Sequence, residues 1–166
     1  MRLTHLSKSG SIKMVDVGGK SRTRRRAIVC GMVVMKPATL QAILKERVKK
    51  GNVLEAARLA GIMAAKETHN LIPLCHPVNL THIKIDFKPF QSHSHHNKMS
   101  GPAVIEIRTL VEGYDRTGFE MEALTATAVT ALTIYDMCKA IDRGIRITDI
   151  QLVEKSGGRS GHYKRR

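Results

Sequence analysis

An aspartate and a lysine three positions apart, Asp136 and Lys139, stand near the end of a long helical stretch. That spacing puts both side chains on one helix face. Such a pair works as a general acid/base couple when the carboxylate holds the ammonium in place and partial desolvation brings the lysine nearer neutrality. The competing reading is an ordinary surface ion pair worth about 0.3–0.5 kcal/mol. Spacing alone favours the ion pair. The flanking Ile134, Tyr135, Met137 and Cys138 weaken that reading, because they are unlike a solvated face.

Six other segments carry chemical groups. Leu74-Cys75-His76-Pro77 sets a thiol beside an imidazole in a loop stiffened by Pro73 and Pro77. A loop histidine there is either an acid/base or phosphate contact, or a structural residue. Glu120-Met121-Glu122 sits just before or at a helix start, where carboxylates complement the dipole; the alternative is recognition of N–H donors on a purine- or pterin-like ring. Lys155-Ser156-Gly157-Gly158-Arg159-Ser160-Gly161 mixes flexible backbone donors with cations and suits phosphates, though a mobile tail explains it as well. Lys49-Lys50-Gly51 and Arg24-Arg25-Arg26 add phosphate contacts or solvated charge. His93, His95 and His96 form a His-rich loop, read here as bland rather than as a metal site. Adjacent Cys75 and His76 seldom close on one zinc, and no second CxxC or HxxxH is present, so no metal ligand is assigned.

These groups must be positioned by a short series of elements. Ala27 to Met35 reads as a strand. Pro37 opens a helix whose apolar residues Leu40, Ile43, Leu44 and Val48 recur at helical spacing, closed by Gly51 after a Lys49-Lys50 last turn. Asn52 with Glu55 resembles a capping box for a second helix, roughly 53–68. The pairs Ala56-Ala57, Ala60-Gly61 and Ala64-Ala65 give that helix a narrow surface for close packing. Leu71 to Pro77 is a loop. Thr81, Ile83, Ile85 and Phe87 alternate with polar residues as a half-buried strand. A polar loop, 91–101, leads to a strand at 103–111, and 113–118 is a turn. A long helix spans about 122–142, stopped by Gly144, and 145–153 is a last strand. The order is βαββαβ with a split first helix, the ferredoxin-like pattern of an antiparallel α+β sheet with helices on one face.

Composition bounds the rest. The 166 residues fit a single domain, with 1–26 as a basic, partly mobile N-terminal segment and 155–166 as a Gly-rich basic tail. Aromatics make up only 4% of the chain against 42% apolar residues, so the core must be aliphatic. No apolar run approaches the roughly 18 residues of a membrane span, and the polar start is not a secretory signal. Three widely spaced cysteines argue for free thiols and a cytoplasmic location. Residues 1–50 carry 13 Lys and Arg against 2 Asp and Glu, residues 51–151 carry 10 against 11, and residues 152–166 carry 5 against 1. A balanced middle with basic ends suits a polyanion: a nucleic acid or a small molecule with several phosphates.

Taken together, these segments resemble the cyclic pyranopterin monophosphate synthase family of molybdenum-cofactor biosynthesis. The matching runs are Met14 to Val17, Lys50-Gly51, Ala60 to Lys66, Leu71 to Pro77, Glu120 to Thr125, Leu132 to Ala140 and Lys155 to Gly158, in the family's order across nearly the whole chain. LIPLCHP and LTIYDMCKA are the most specific of them. Three features differ from the family pattern: the longer His-rich loop, Gly18-Gly19 after the MVDV run, and the more basic Arg24-Arg25-Arg26.

The resemblance implies an enzyme that converts a cyclised dihydro-GTP to cyclic pyranopterin monophosphate and releases pyrophosphate. It makes Asp136 and Lys139 the catalytic pair. Lys50, Leu74, Cys75, His76, Glu120, Met121, Glu122 and Lys155 become substrate-binding positions. It implies a hexamer built from dimers, with the active site at a dimer interface and no membrane or nucleic-acid partner. No cofactor is implied, although Mg2+ can accompany the triphosphate. Geometry points the same way on oligomerisation. Glu122 and Asp136 lie about 40° apart around a helix but roughly 21 Å apart along it, too far for one compact nucleotide to touch both within one subunit. The rival reading, a basic RNA-binding module on a ferredoxin-like sheet, needs strand aromatics for base stacking, and here they reduce to Phe87, with Phe90 at the edge.

Overall fold

The computed structural model describes residues 10–91, 101–159 and 161–165. The elements are β1 (Thr23–Met35), α1 (Pro37–Leu44), α2 (Val53–Lys66), the single-turn α3 (Thr68–Leu71), β2 (Leu80–Gln91), β3 (Ala103–Asp115), α4 (Glu120–Cys138), β4 (Arg146–Ser156) and β5 (Tyr163–Lys164). They form one antiparallel sheet in the order β2-β3-β1-β4-β5. Its first four strands and the two helical crossovers are the expected ferredoxin-like α+β arrangement. The alternation of β1 and β3 turns Val29, Val33 and Met35, together with Ile105, Ile107 and Val111, toward the helices, where all are buried. The opposite face carries Arg24, Arg26, Glu106, Arg108 and Glu112.

α4 is the central helix of that layer, flanked by α2 and laid across β1, β3 and β4. Two glycines set how close it comes. A Cβ on Gly31 of β1 would lie 2.8 Å from the Thr127 methyl. A Cβ on Gly61 of α2 would run into Thr130 Oγ1 and stand 2.6 Å from Ile85 Cδ1. The facing residues of α4 are small as well: Ala123, Ala126 and Ala131 are fully buried. The Ala-Gly pairs of α2 therefore do make the narrow packing surface that their spacing suggests.

Several boundaries differ from expectation. α1 ends at Leu44 rather than running to Gly51, so Lys49 and Lys50 are not its last turn. The reason is a Schellman closure made without glycine: Glu46 adopts φ 52°, Glu46 N–H donates to the Ile43 carbonyl, and Arg47 N–H donates to that of Ala42. α4 ends at Cys138 rather than near residue 142 because Asp142 is needed elsewhere. Its buried carboxylate accepts from Lys36 N–H (2.9 Å) and Thr39 Oγ1 (3.0 Å), capping α1 across the chain. The expected turn at 113–118 begins late, since β3 continues to Asp115 in register with Thr23. The basic tail is partly structured: Lys155 and Ser156 belong to β4, and Tyr163–Lys164 pairs back on Glu154 and Lys155. Asn52 caps α2 as expected, accepting from Glu55 N–H at 3.1 Å. The His93, His95 and His96 loop lies outside the described residues.

The Gly61 contact has a sign that can be checked. In a free helix Gly→Ala stabilises by about 1 kcal/mol. Here Gly61→Ala is expected to destabilise by about 1–3 kcal/mol through overpacking. The measurement is the urea midpoint, and a midpoint above wild type contradicts the packing described.

Candidate active site

The two ends of α4 carry different chemistry. At the C-terminal end, Asp136 accepts from two lysines. Lys139 Nζ lies 2.7 Å from Oδ1, and Lys50 Nζ donates to Oδ2 at 2.8 Å and to the Asp136 backbone carbonyl at 2.9 Å. The early end of α1 makes this possible, because residues 45–51 are free to turn and bring Lys50 to α4. The hydrogen bond from Lys139, then that from Lys50 and the charges of both, hold the Asp136 carboxyl down to about 2. The same hydrogen bond and charge push Lys139 above the usual lysine range. That corrects one expectation: in this chain Lys139 is half exposed and is stabilised as a cation, not drawn toward neutrality.

At the N-terminal end, burial dominates. Leu74, Cys75 and His76 meet Thr117, Gly118, Met121 and Glu122 around a recess of about 140 Å³. Glu122 also lines a larger recess of about 470 Å³ with Lys66, His69 and Asn79. The residue is 3% exposed, and its Oε2 has no hydrogen-bond partner among the described residues. Desolvation, reinforced by the Glu120 charge, pushes the group up to about 7. A buried orphan oxygen is costly, so a donor-rich ligand is its natural partner. Burial and the Glu122 charge also raise Cys75, which stays a thiol and not a nucleophilic thiolate. His76 is held from behind, with Nε2 2.8 Å from the Val15 carbonyl. Glu120 and Glu122 both stand in the first turn of α4, where carboxylates complement its dipole. Glu120 also pairs with Lys155 at 2.8 Å, and Phe119, the residue before the helix, supplies no side-chain cap.

Next to this recess, and sharing Thr117 and Gly118 with it, is a cavity of about 610 Å³. Lys20, Arg25, Arg116, Lys155 and Arg159 line it against one carboxylate, Glu120. The Arg25 guanidinium is fixed by backbone: Nε donates to the Asp115 carbonyl and one terminal nitrogen to that of Arg116, both at 2.9 Å. Gly158, at φ 73°, passes where a Cβ would stand 2.7 Å from the guanidinium carbon. Thr23 Oγ1 and Arg116 Nε are buried without partners among the described residues. A fixed cation, four further positive side chains and spare donors are what a polyphosphate chain requires.

The structure thus gathers seven of the ten sequence-derived candidates at one end of α4: Leu74, Cys75, His76, Glu120, Met121, Glu122 and Lys155. Lys50, Asp136 and Lys139 gather at the other. Sequence reasoning missed Arg25 as distinct from its neighbours, together with Thr23, Arg116 and Val15. Strand alternation held the signal for Arg25. Arg24 and Arg26 face the open side and approach Glu112 at 3.8 Å, so Arg25 must point the other way.

The Glu122 carboxyl makes stability pH-dependent in a definite direction. Folded, it keeps its proton to about pH 7, against 4.5 for an unburied glutamate. Its contribution is fully present below pH 4.5 and is lost as pH rises through about 7. Glu122→Gln is therefore expected to gain stability relative to wild type between those values and to keep the gain above them. Urea midpoints measured from pH 4.5 to 8 provide the check; a difference independent of pH contradicts the buried acid.

Comparison with known proteins fits this geometry. Residues 14–158 match the model of the MoaC family. The chain is 54% identical over 160 residues to the cyclic pyranopterin monophosphate synthase of Desulforapulum autotrophicum, covering 96% of this chain and 93% of that one. It is 52% identical over 163 residues to the protein of the same name from Parvibaculum lavamentivorans, covering 98% and 96%. It is likewise 52% identical over 163 residues to that of Magnetococcus marinus, covering 98% and 94%. The matched stretch takes in both ends of α4, the Leu74–Pro77 loop and Gly158 beside Arg25, and on that evidence the chain belongs to the MoaC family.

Proposed function

We propose that this chain is a cyclic pyranopterin monophosphate synthase acting in molybdenum cofactor biosynthesis. Its substrate would be 3′,8-cyclo-7,8-dihydroguanosine 5′-triphosphate, converted to cyclic pyranopterin monophosphate with loss of pyrophosphate. The observation that carries this reading is the pairing, at one helix end, of a buried carboxyl, one oxygen of which has no partner among the described residues, with a cation-lined cavity. A guanine-derived ring offers N–H donors to Glu122, and a triphosphate suits Lys20, Arg25, Arg116 and Lys155. Pyrophosphate departure needs charge neutralised as it develops, which fixed cations do without reorganising. Mg2+ accompanying the phosphates is compatible with this arrangement.

The proton transfers fall to the other end of α4. Asp136 stays a carboxylate and holds Lys139 as an ammonium, ready to donate a proton to an opening or closing ring. Lys50 and Lys155 were expected to share the phosphates, yet they sit at opposite ends of α4 within one chain. The reading therefore includes a site made by two subunits: the recess of one chain faces Asp136 and Lys139 of the partner subunit, related by a twofold axis. A hexamer of three such dimers and a cytoplasmic location complete the proposal. Among the described residues no helix is long and apolar enough to cross a membrane.

The RNA-binding alternative loses ground on the sheet itself. Phe87 faces the helices under the Arg58 guanidinium, 5.0 Å from its ring centroid. Phe90 pairs with Val104, ten residues along β3 from Tyr114, so the two open-face aromatics are about 33 Å apart and cannot stack neighbouring bases.

Two experiments test the reading. Lys139→Arg keeps the charge but cannot give up its proton near neutral pH, so turnover of the cyclised substrate is expected to fall by about 100-fold or more; near-wild-type product formation contradicts the acid role. Glu122→Ala and Asp136→Ala are each expected to be inactive, and co-assembled mixtures to recover part of the activity, because some sites then inherit both intact halves. No recovery despite confirmed subunit exchange rules out the shared site in this form.

A further inference from the structure

We propose that the backbone carbonyl of Val15 selects the tautomer of His76, so that Nε2 carries the proton and Nδ1 is the nitrogen left to meet the substrate. A carbonyl oxygen only accepts hydrogen bonds, and it lies 2.8 Å from Nε2. The neutral ring therefore donates from Nε2, and its remaining lone pair is on Nδ1. The inference rests on the reading of His76 as part of the active site and adds which atom of it acts.

The carbonyl belongs to a segment with hydrogen bonds of its own just beyond it. Val15 is half-buried in a segment that turns immediately afterwards: Gly18 N–H donates to Asp16 Oδ1 at 2.8 Å, and Lys20 N–H to the Val17 carbonyl at 3.0 Å. The next residues, Gly19, Lys20 and Ser21, line the cationic cavity. One strap thus touches the imidazole at one point and the cavity a few residues later. On the other side of the ring, Pro77 restricts the His76 backbone to extended conformations. The imidazole is fixed at its backbone by a proline and at its far nitrogen by a strap 61 residues earlier. Val15 acts only through His76, as a positioning residue, and the Val15 side chain takes no part.

The test is long-range 1H–15N NMR on the full-length assembly with 15N-labelled histidine, the His76 signals being assigned by their loss in His76→Gln. The expected result for the neutral ring is a protonated Nε2 and a bare Nδ1. A second sample carries the α-hydroxy acid analogue of aspartate at position 16. That turns the Val15 carbonyl into an ester carbonyl, a weaker acceptor, and leaves every side chain intact. It is expected to raise the share of the other tautomer and to lower kcat on the order of fivefold, with KM little changed. A wild-type ring protonated on Nδ1, or an ester sample with tautomer and kcat unchanged, overturns this inference and leaves the proposed function standing. Undiminished turnover by His76→Gln overturns the inference together with the reading of His76 as an active-site residue.

Discussion

How closely α4 lies on the sheet and on α2 determines where every candidate residue sits. The contact is made by small groups. Gly31 and Gly61 admit Thr127 and Thr130, and these threonines satisfy their hydroxyls on α4 itself, Thr127 to the Ala123 carbonyl and Thr130 to that of Ala126, each at 2.8 Å. Thr127 also meets Thr109 of β3 at 2.8 Å. A helix seated this way has little room to slide, because a shift of one residue would drive a larger side chain into a glycine gap. Its 19 residues make a rod of about 28 Å, and the rod fixes the separation between its two chemical ends. Asp142 then ties the far end of α4 to the first turn of α1.

The two ends handle charge in opposite ways. At Asp136 the groups are half exposed, and two ammoniums compensate one carboxylate; such pairs orient side chains more than they stabilise the fold. At Glu122 the carboxyl is withdrawn from water with one oxygen unpaired, so its proton is retained toward neutrality. In the adjoining cavity, Arg25 is already bonded to backbone carbonyls before any anion arrives. One end thus holds ready-made ions, the other a group whose charge depends on what binds. Beside that group stand Arg25 and the other cations of the cavity, so this end suits a ligand with a neutral, donor-rich ring and a highly charged tail.

Much of the fold was readable because it is local. Alternation marked β2, Pro37 and Asn52 marked helix starts, and paired small residues marked the face of α2. The site segments were readable because they are short and unusual in composition. What escaped depends on partners distant in sequence or on uncommon backbone. Glu46 ends α1 in a conformation that glycine usually supplies, so Gly51 looked like the stop. The end of α4 is decided by Asp142 reaching residues 36 and 39. β5 is two residues long and has no periodicity to show. The direction in which Lys139 titrates follows from the hydrogen bond and charge of Asp136, and Lys50 reaches that same carboxylate from 86 residues away. Arg25 is the exception: the alternation that separates it from Arg24 and Arg26 was visible in the sequence.

In the proposed shared site the two ends of α4 serve one substrate through two chains. A crystal structure of the Lys139→Ala protein with the cyclised triphosphate bound measures this directly. A shared site gives one ligand molecule with its ring on Glu122, its phosphates against Arg25 and Lys155, and Asp136 of the partner subunit within reach of the same molecule. A ligand held entirely by one chain, with the partner's Asp136 remote from it, rules the shared site out.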